Sequence, residues 1–211
     1  MVASRTAEVR WFREGPPPQA VVDWFVGGGL STEAERVRVD RYLWVPRLDS
    51  LGIKFREGRI EVKRRQGPGR AVQLAPTAAG MLEVWDKWAF GLAEAASAEE
   101  DLGGQAAWVA VKKARLVRVY AVTPDDAVVP IPATASYERG CSVELAQVTA
   151  ADRFWWSFSF EAVSDGPLLD ETLRATAGHV LVEPCEMLRL DLEASYGYPR
   201  WLQVAGPYFI M

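Results

Sequence analysis

Residues 51–65, LGIKFREGRIEVKRR, contain the feature that most limits how this chain can fold. The central dipeptide Glu57-Gly58 is typical of a two-residue hairpin turn, which sets Arg56 opposite Arg59. Side chains of paired strands then alternate between two faces. One face carries Lys54, Arg56, Arg59, Glu61, Lys63 and Arg65, and the other carries Ile53, Phe55, Ile60 and Val62. The sequence therefore predicts a β-hairpin with one basic face and one apolar face.

The basic face of this hairpin has two interpretations. It is the solvated side of an ordinary half-buried sheet, or it lines a polar interior. Further segments alternate in the same way, with charged or hydroxyl side chains on one face and branched or aromatic ones on the other. They are residues 6–12, 36–45, 108–122, 141–148 and 154–162. This shared pattern favours a curved sheet whose polar faces turn toward one another.

Two segments have the spacing of apolar residues that predicts an amphipathic helix. The first covers about residues 77–100 and the second covers residues 168–180. The apolar stretch 19–29 is compatible with either a short helix or a strand. An apolar stripe on a helix usually docks onto a sheet, so both predicted helices are expected to cover the apolar side of the strands.

The expected fold class is α+β: an antiparallel β-barrel, or tunnel, with a polar interior and amphipathic helices packed outside. With 211 residues, of which 49% are hydrophobic, the chain is expected to form a single domain over residues 1–211. No apolar run approaches the roughly 20 residues that span a bilayer, and no segment resembles a signal peptide. We therefore expect a cytoplasmic protein that does not bind membranes.

The predicted interior is rich in positive charge although the whole chain is not. The 24 basic and 28 acidic residues give a net charge of −4, which argues against nucleic acid as a partner. The basic residues expected to face inward are Arg10, Arg38, Lys54, Arg56, Arg59, Lys63, Arg65, Lys113 and Arg115, against the acidic Glu8, Asp40, Glu61, Glu144 and Glu161. Facing cations repel one another where water is excluded, so this cluster indicates a phosphate-rich ligand.

Short charged motifs follow one another along most of the chain. They are TAEVR at 6–10, Lys54-x-Arg56, Lys63, Lys113-x-Arg115, Ser159-x-Glu161 and SYGYPRWL at 195–202. Their order resembles the CYTH or triphosphate tunnel metalloenzyme superfamily, which includes inorganic triphosphatases, thiamine triphosphatase and class IV adenylate cyclases. TAEVR is similar to that family's first Glu-x-Glu-x-Lys strand, with Thr6 in place of the first Glu and Arg10 in place of the Lys. Ser159 takes the place of a further family Glu.

The resemblance implies a function and a set of site residues. It implies that the tunnel binds a triphosphate, polyphosphate or other phosphorylated small molecule, with phosphate contacts from Arg10, Lys54, Arg56, Lys63, Arg65, Lys113 and Arg115. It also implies Mg²⁺ or Mn²⁺ held by Glu8, Glu61, Glu144 and Glu161. A divalent ion in that position would support hydrolysis of the phosphate, as in a triphosphatase or phosphatase. No single residue is identified as catalytic.

Two alternatives stay open beside this implied activity. Thr6 and Ser159 weaken the carboxylate set, and the remaining acids are equally explained as structural partners of basic neighbours. In the first alternative, the chain is a non-catalytic module that binds an anion on a barrel that has lost its metal site. In the second, the pocket of such a barrel binds a different small molecule. Other chemistry is poorly supported, because His179 is the one histidine and neither a P-loop nor a dinucleotide-binding motif occurs.

Overall fold

The computed structural model describes residues 4–27, 33–91 and 108–209. Its strands are β1 Ser4–Glu14, β2 Glu33–Leu43, β3 Leu51–Arg56, β4 Arg59–Arg65, β5 Arg70–Ala75, β6 Ala78–Gly91, β7 Trp108–Val122, β8 Val128–Ile131, β9 Gly140–Ala150 and β10 Arg153–Val163. Its α-helices are α1 Gln19–Gly27, α2 Leu169–Val180 and α3 Tyr198–Ala205. None of these helices is long and apolar enough to cross a membrane.

In the described part of the chain, eight antiparallel strands close into a barrel. Their order is β1, β10, β9, β7, β2, β3, β4 and β6, after which β6 pairs with β1 again. Strand β1 completes the ring because Thr6 lies opposite Val163 on one side and opposite Trp85 on the other. Strand β5 pairs with β6 and β8 pairs with β7, both outside the ring. The predicted antiparallel barrel of the α+β class is confirmed.

The predicted hairpin is formed by β3 and β4 with the predicted register. Arg56 lies opposite Arg59. Glu57 and Gly58 have φ angles of 48° and 76°, and the two-residue turns that match strand twist need positive φ at both positions. The charged side chains on one face of this hairpin point into the barrel, where Lys54 and Lys63 line a cavity. Of the two interpretations, the polar interior is therefore the correct one.

Helices α1 and α2 cover the outer, apolar face of the barrel wall. Phe158 and Phe160 on β10 belong to one buried cluster with Phe25 of α1 and Leu173 and Ala177 of α2. The rings of Phe25 and Phe158 meet edge to face, with centroids 6.2 Å apart. The predicted helix near residues 168–180 is confirmed, and the stretch whose type was open is helical from Gln19 to Gly27.

Helix α3 lies outside the wall and closes one end of the barrel. At that end, the strand residues that face inward are apolar instead of charged. They form a buried cluster with α3, which contains Phe12, Tyr42, Val111, Val148 and Trp155 from the strands and Tyr198, Trp201 and Leu202 from the helix. The rings of Phe12 and Trp201 stack with centroids 5.4 Å apart. In the part of the chain that the structure describes, the interior is therefore cup-shaped, with an aromatic floor at one end and a mouth at the other.

The helix predicted at about residues 77–100 is wrong over its described part, because Ala78–Gly91 form strand β6. Leu82 packs in the outer core, whereas the ring of Trp85 lies under the inward-facing ammonium of Lys63, 4.4 Å from its centroid. Both faces of β6 are buried here, so apolar side chains occur on both and imitate the spacing of a helical stripe. Residues 92–100 lie outside the described residues.

Candidate functional site

The barrel contains a cavity of about 420 Å³ between the floor and the turn of the β3–β4 hairpin. Nine basic and four acidic side chains line it among the described residues: Arg10, Arg38, Lys54, Arg56, Arg59, Lys63, Lys87, Lys113 and Arg115, with Glu8, Glu61, Glu144 and Glu161. The lining thus has five more positive than negative formal charges, in a chain whose net charge is −4. The cavity is therefore lined by an excess of basic side chains in a protein that is acidic as a whole.

Six of the seven predicted phosphate-binding residues line this cavity, as do the four predicted carboxylates. The exception is Arg65, which lies nearer the closed end. Its guanidinium donates to Glu83 Oε1 at 2.8 Å and to Asp49 Oδ1 at 3.1 Å. Arg65 is therefore held in an ion-pair group beside the cavity, and the phosphate contact predicted for it stays a prediction.

Arg10 is buried in the cavity wall and has three acceptors. Its Nε donates to Glu8 Oε1 at 2.6 Å, and its Nη1 donates to Glu144 Oε1 at 2.7 Å and to Ser157 Oγ at 3.1 Å. Burial alone would lower the pKa of Arg10, but the two carboxylates outweigh it and raise the pKa above its usual value. Arg10 stays charged and fixes the positions of both carboxylates.

Each of these two carboxylates also has a second basic partner. Glu8 Oε2 accepts a hydrogen bond from Lys63 Nζ at 3.0 Å, and Glu144 Oε2 accepts one from Arg115 Nε. Burial opposes the ionisation of both acids. The neighbouring cations outweigh burial, so the pKa values of Glu8 and Glu144 lie well below their usual range. Both acids are ionised and serve as internal counter-charges.

Lys113 reaches the innermost part of the cavity. Its Nζ lies 2.9 Å from Asp40 Oδ2 and 2.5 Å from the hydroxyl oxygen of Tyr42. The same nitrogen lies 3.8 Å from the centroid of the Tyr198 ring. Burial raises the pKa of Asp40, but Lys113 and Lys54 act more strongly and lower it to about 2. The inner end of the cavity therefore combines a buried ion pair with two tyrosine rings.

Cations near the mouth are more exposed than Arg10 and Lys113. Lys54 Nζ lies 2.8 Å from Glu61 Oε2, and Arg56 pairs with the same carboxylate. Lys87 pairs with Glu161. The side chains of Lys54, Arg56 and Lys87 are 19%, 25% and 30% exposed. Burial and the neighbouring Arg56 lower the pKa of Lys54, which shows that these cations crowd one another.

Among the cavity-lining residues that the sequence analysis did not identify are Tyr42, Lys87 and Tyr198. Lys87 lies opposite Lys63 on adjacent strands, and the incorrect helix prediction for its segment concealed it. Tyr42 lies on the predicted inward face of its strand, but a tyrosine there also fits a packing role. Tyr198 enters from helix α3, and strand alternation contains no signal for a side chain that arrives from another element.

The four carboxylates predicted to hold Mg²⁺ or Mn²⁺ are all paired with basic side chains. Arg10 separates Glu8 from Glu144 by donating to both. Glu61 and Glu161 have their own partners near the mouth. Within residues 4–27, 33–91 and 108–209, no group of three or more His, Cys, Asp or Glu side chains is placed to hold a metal ion. These residues do not by themselves fit a metal, and metal binding stays a prediction.

No family model and no curated protein matches the chain. Two solved structures are similar to it over most of their length. A conserved hypothetical protein from Pyrococcus furiosus is 17% identical, with a TM-score of 0.42, over 90% of this chain and 99% of that chain. The PH1012 protein from Pyrococcus horikoshii OT3 is 13% identical, with a TM-score of 0.42, over 88% of this chain and 96% of that chain. Neither similarity bears on the function of this protein.

Proposed function

We propose that this protein binds a phosphorylated small anion, such as a triphosphate, in the cavity of its barrel. The observation that carries the proposal is the formal excess of five basic over acidic side chains that line a cup of about 420 Å³. Crowded cations repel one another when partly shielded from water, and phosphate oxygens relieve that repulsion through charge-assisted hydrogen bonds. The volume lies in the range of about 300–1,000 Å³ that small-molecule sites occupy.

The cations that line the cavity have two roles in this proposal. Arg10 and Lys113 are almost fully buried, and they hold the inner carboxylates and tyrosines in place. Lys54, Arg56 and Lys87 have more accessible side chains nearer the mouth. These outer cations supply most of the phosphate contacts. The carboxylates limit the repulsion among the cations when no ligand is bound.

Binding without catalysis is the activity that this arrangement supports best. Every carboxylate that lines the cavity bonds a basic side chain, so the acids are explained without a metal. Metal-dependent hydrolysis, which the resemblance to the CYTH superfamily implies, is the second candidate. One observation favours it: Glu8 and Glu161 lie directly opposite each other on β1 and β10. An ion that enters with the phosphates would find both acids on one side of the cavity.

Calorimetric titration with tripolyphosphate at fixed salt tests this proposal. We expect binding in the presence of a chelator, with no release of inorganic phosphate when Mg²⁺ or Mn²⁺ is added. Phosphate release that requires a divalent ion would establish the second candidate. Absence of binding both with chelator and with Mg²⁺ would overturn anion binding altogether.

A further inference from the structure

Tyr198 places an aromatic ring at the closed end of the cavity. It is the first residue of α3, and Trp201 one turn later is fully buried, which fixes the helix behind the ring. The ring stacks on that of Tyr42 with centroids 5.3 Å apart and planes 12° apart. Lys113 Nζ and the guanidinium carbon of Arg10 lie 3.8 Å and 4.9 Å from its centroid. Two basic side chains therefore flank the ring.

The hydroxyl of Tyr198 differs from that of Tyr42 in its partners. The Tyr42 hydroxyl contacts Lys113 Nζ, whereas the Tyr198 oxygen is buried and has no hydrogen-bond partner in the part of the chain that the structure describes. Tyr198 is 5% exposed, and burial raises the pKa of its phenol. The hydroxyl is therefore a protonated donor near two basic side chains. A buried donor without an acceptor is unfavourable, and a ligand oxygen would satisfy it.

The shape of the cavity decides which part of a ligand reaches this donor. Because α3 and its aromatic partners fill one end of the barrel, a phosphate chain does not enter from that end. A linear chain can insert its terminal group as far as the floor. A cyclic phosphate has no chain end, and each of its phosphates is bonded to two neighbours that must enter the cup with it.

We infer that Tyr198 is a specificity-determining residue: its hydroxyl donates a hydrogen bond to the terminal phosphate of a linear ligand, between Arg10 and Lys113. The site thereby selects phosphates that have a free end. This inference rests on the proposed function and deepens it, because anion binding by the outer cations does not itself require the floor contact. Tyr198 binds the ligand in this scheme and takes no part in bond breaking.

Calorimetric titration tests the inference. Three proteins are compared: wild type, Tyr198→Phe and the control Tyr196→Phe. Each is titrated with linear tripolyphosphate and with cyclic trimetaphosphate. Wild-type protein should bind the linear form at least tenfold more tightly. Tyr198→Phe should weaken linear binding by about tenfold, a loss of about 1.4 kcal/mol, and leave cyclic binding unchanged. Its melting temperature without ligand should be unchanged or higher, because the lost hydroxyl has no partner. Tyr196 stacks on Phe12 with centroids 5.6 Å apart and does not line the cavity, so Tyr196→Phe should match wild type.

The outcomes separate this inference from the function on which it rests. If wild-type protein binds both phosphates equally, or if Tyr198→Phe binds the linear form as tightly as wild type, the floor contact is wrong and anion binding stands. An equal loss of affinity for both forms with a lower melting temperature would also overturn the inference, since it would show a structural role. If wild-type protein binds neither phosphate, the proposed function fails and the inference falls with it.

Discussion

The ammonium nitrogen of Lys63 lies 3.0 Å from Oε2 of Glu8, although β6 separates β4 from β1 in the barrel. The other oxygen of Glu8 accepts a hydrogen bond from Arg10 at 2.6 Å. Glu8 is 2% exposed, so water does not share in these contacts. One buried acid therefore pairs with two basic side chains of the cavity, and it would compete for both with the anion of the proposed function.

Glu8→Gln should consequently have opposite effects on stability and on binding. Loss of the buried charge leaves Lys63 and Arg10 less well compensated, and the free energy of unfolding should fall by about 3 kcal/mol. Affinity for tripolyphosphate should rise, because the competing carboxylate is gone. Chemical denaturation and calorimetry measure the two effects. Glu14→Gln removes an exposed ion pair and should change stability by no more than about 0.5 kcal/mol. Loss of binding in Glu8→Gln would instead indicate that Glu8 is a metal ligand.

Removal of two outer cations tests whether the basic face of the hairpin binds the ligand. Lys54→Ala combined with Arg56→Ala should lower tripolyphosphate affinity by at least about a hundredfold, since two charge-assisted contacts of about 1.5–3 kcal/mol each together contribute about 3 kcal/mol or more. The unliganded protein should change in stability by less than about 1 kcal/mol, because lost ion pairs are offset by relieved repulsion. Arg64→Ala with Lys112→Ala removes the same two residue types from exposed positions. That control should bind tripolyphosphate as tightly as wild type. Equal losses of affinity in both double variants would show that the effect comes from the net charge of the protein and not from contacts in the cavity.

Asp40 should make the protein sensitive to acid. Its pKa is about 2 in the fold, because Lys113 and Lys54 outweigh the opposing effect of burial. An unfolded Asp has a pKa near 3.9, so the ion pair contributes stability above about pH 4 that is lost as the pH falls toward 2. The difference between the two values corresponds to roughly 2.5 kcal/mol. Asp40→Asn should lose about that stability at neutral pH and show a flatter decline between pH 4 and 2.

Denaturant unfolding at several pH values measures this dependence. Asp170→Asn is the control, because the Asp170 carboxylate pairs with Arg70 and Arg174 at the surface and is 36% exposed. Its acid decline should follow that of wild type. A slope for Asp40→Asn as steep as that of wild type would show that other acids, such as Glu8 and Glu144, govern the acid response.

Gly80→Ala tests whether residues 78–91 form a strand and not the predicted helix, and Gly178→Ala in α2 is its comparison in a helix. A Cβ added at Gly80 would lie 2.4 Å from Val9 Cγ1 and 2.6 Å from Trp11 Cζ2, so Gly80→Ala should destabilise the protein by about 1–3 kcal/mol. A Cβ at Gly178 in α2 would have no neighbour within 4 Å, and Gly178→Ala should stabilise the protein by about 0.5–1 kcal/mol. Thermal unfolding measures both. If residues 78–91 were helical, both substitutions would raise the melting temperature.

The parts of the fold that follow from local rules were predictable from sequence. Glu57-Gly58 sets the register of the hairpin, and strand alternation then places Lys54 and Arg56 on the face that becomes the interior. Alternation likewise places Glu8 and Arg10 together on the inward face of β1. In each case one face is charged and the other apolar, so the period of two is visible without knowledge of the partner strands.

Two features depend on contacts that no local pattern contains. Apolar side chains occur on both faces of β6, because Leu82 packs in the outer core whereas Trp85 lies under Lys63 in the interior. Strand and helix periodicities cannot then be distinguished. Tyr198 reaches the cavity only because α3 packs across the end of the barrel. The ion pair between Glu8 and Lys63 also depends on the three-dimensional arrangement. Because this pair gives Glu8 a partner, it weakens the argument that Glu8 binds a metal.

The closure of the ring by β1 has a consequence for folding kinetics. Both edges of β1 pair with strands that are distant in sequence, as Thr6 shows with Trp85 and Val163. Such non-local pairing is slow, because chain entropy must be lost before the contacts form. Until β1 docks, the cavity wall lacks Glu8, and Lys63 is without its buried counter-charge. If the proposed function holds, a dissolved polyphosphate would meet Lys63 without that counter-charge at this stage. The phosphate ligand and strand β1 would then compete for the same lysine during folding.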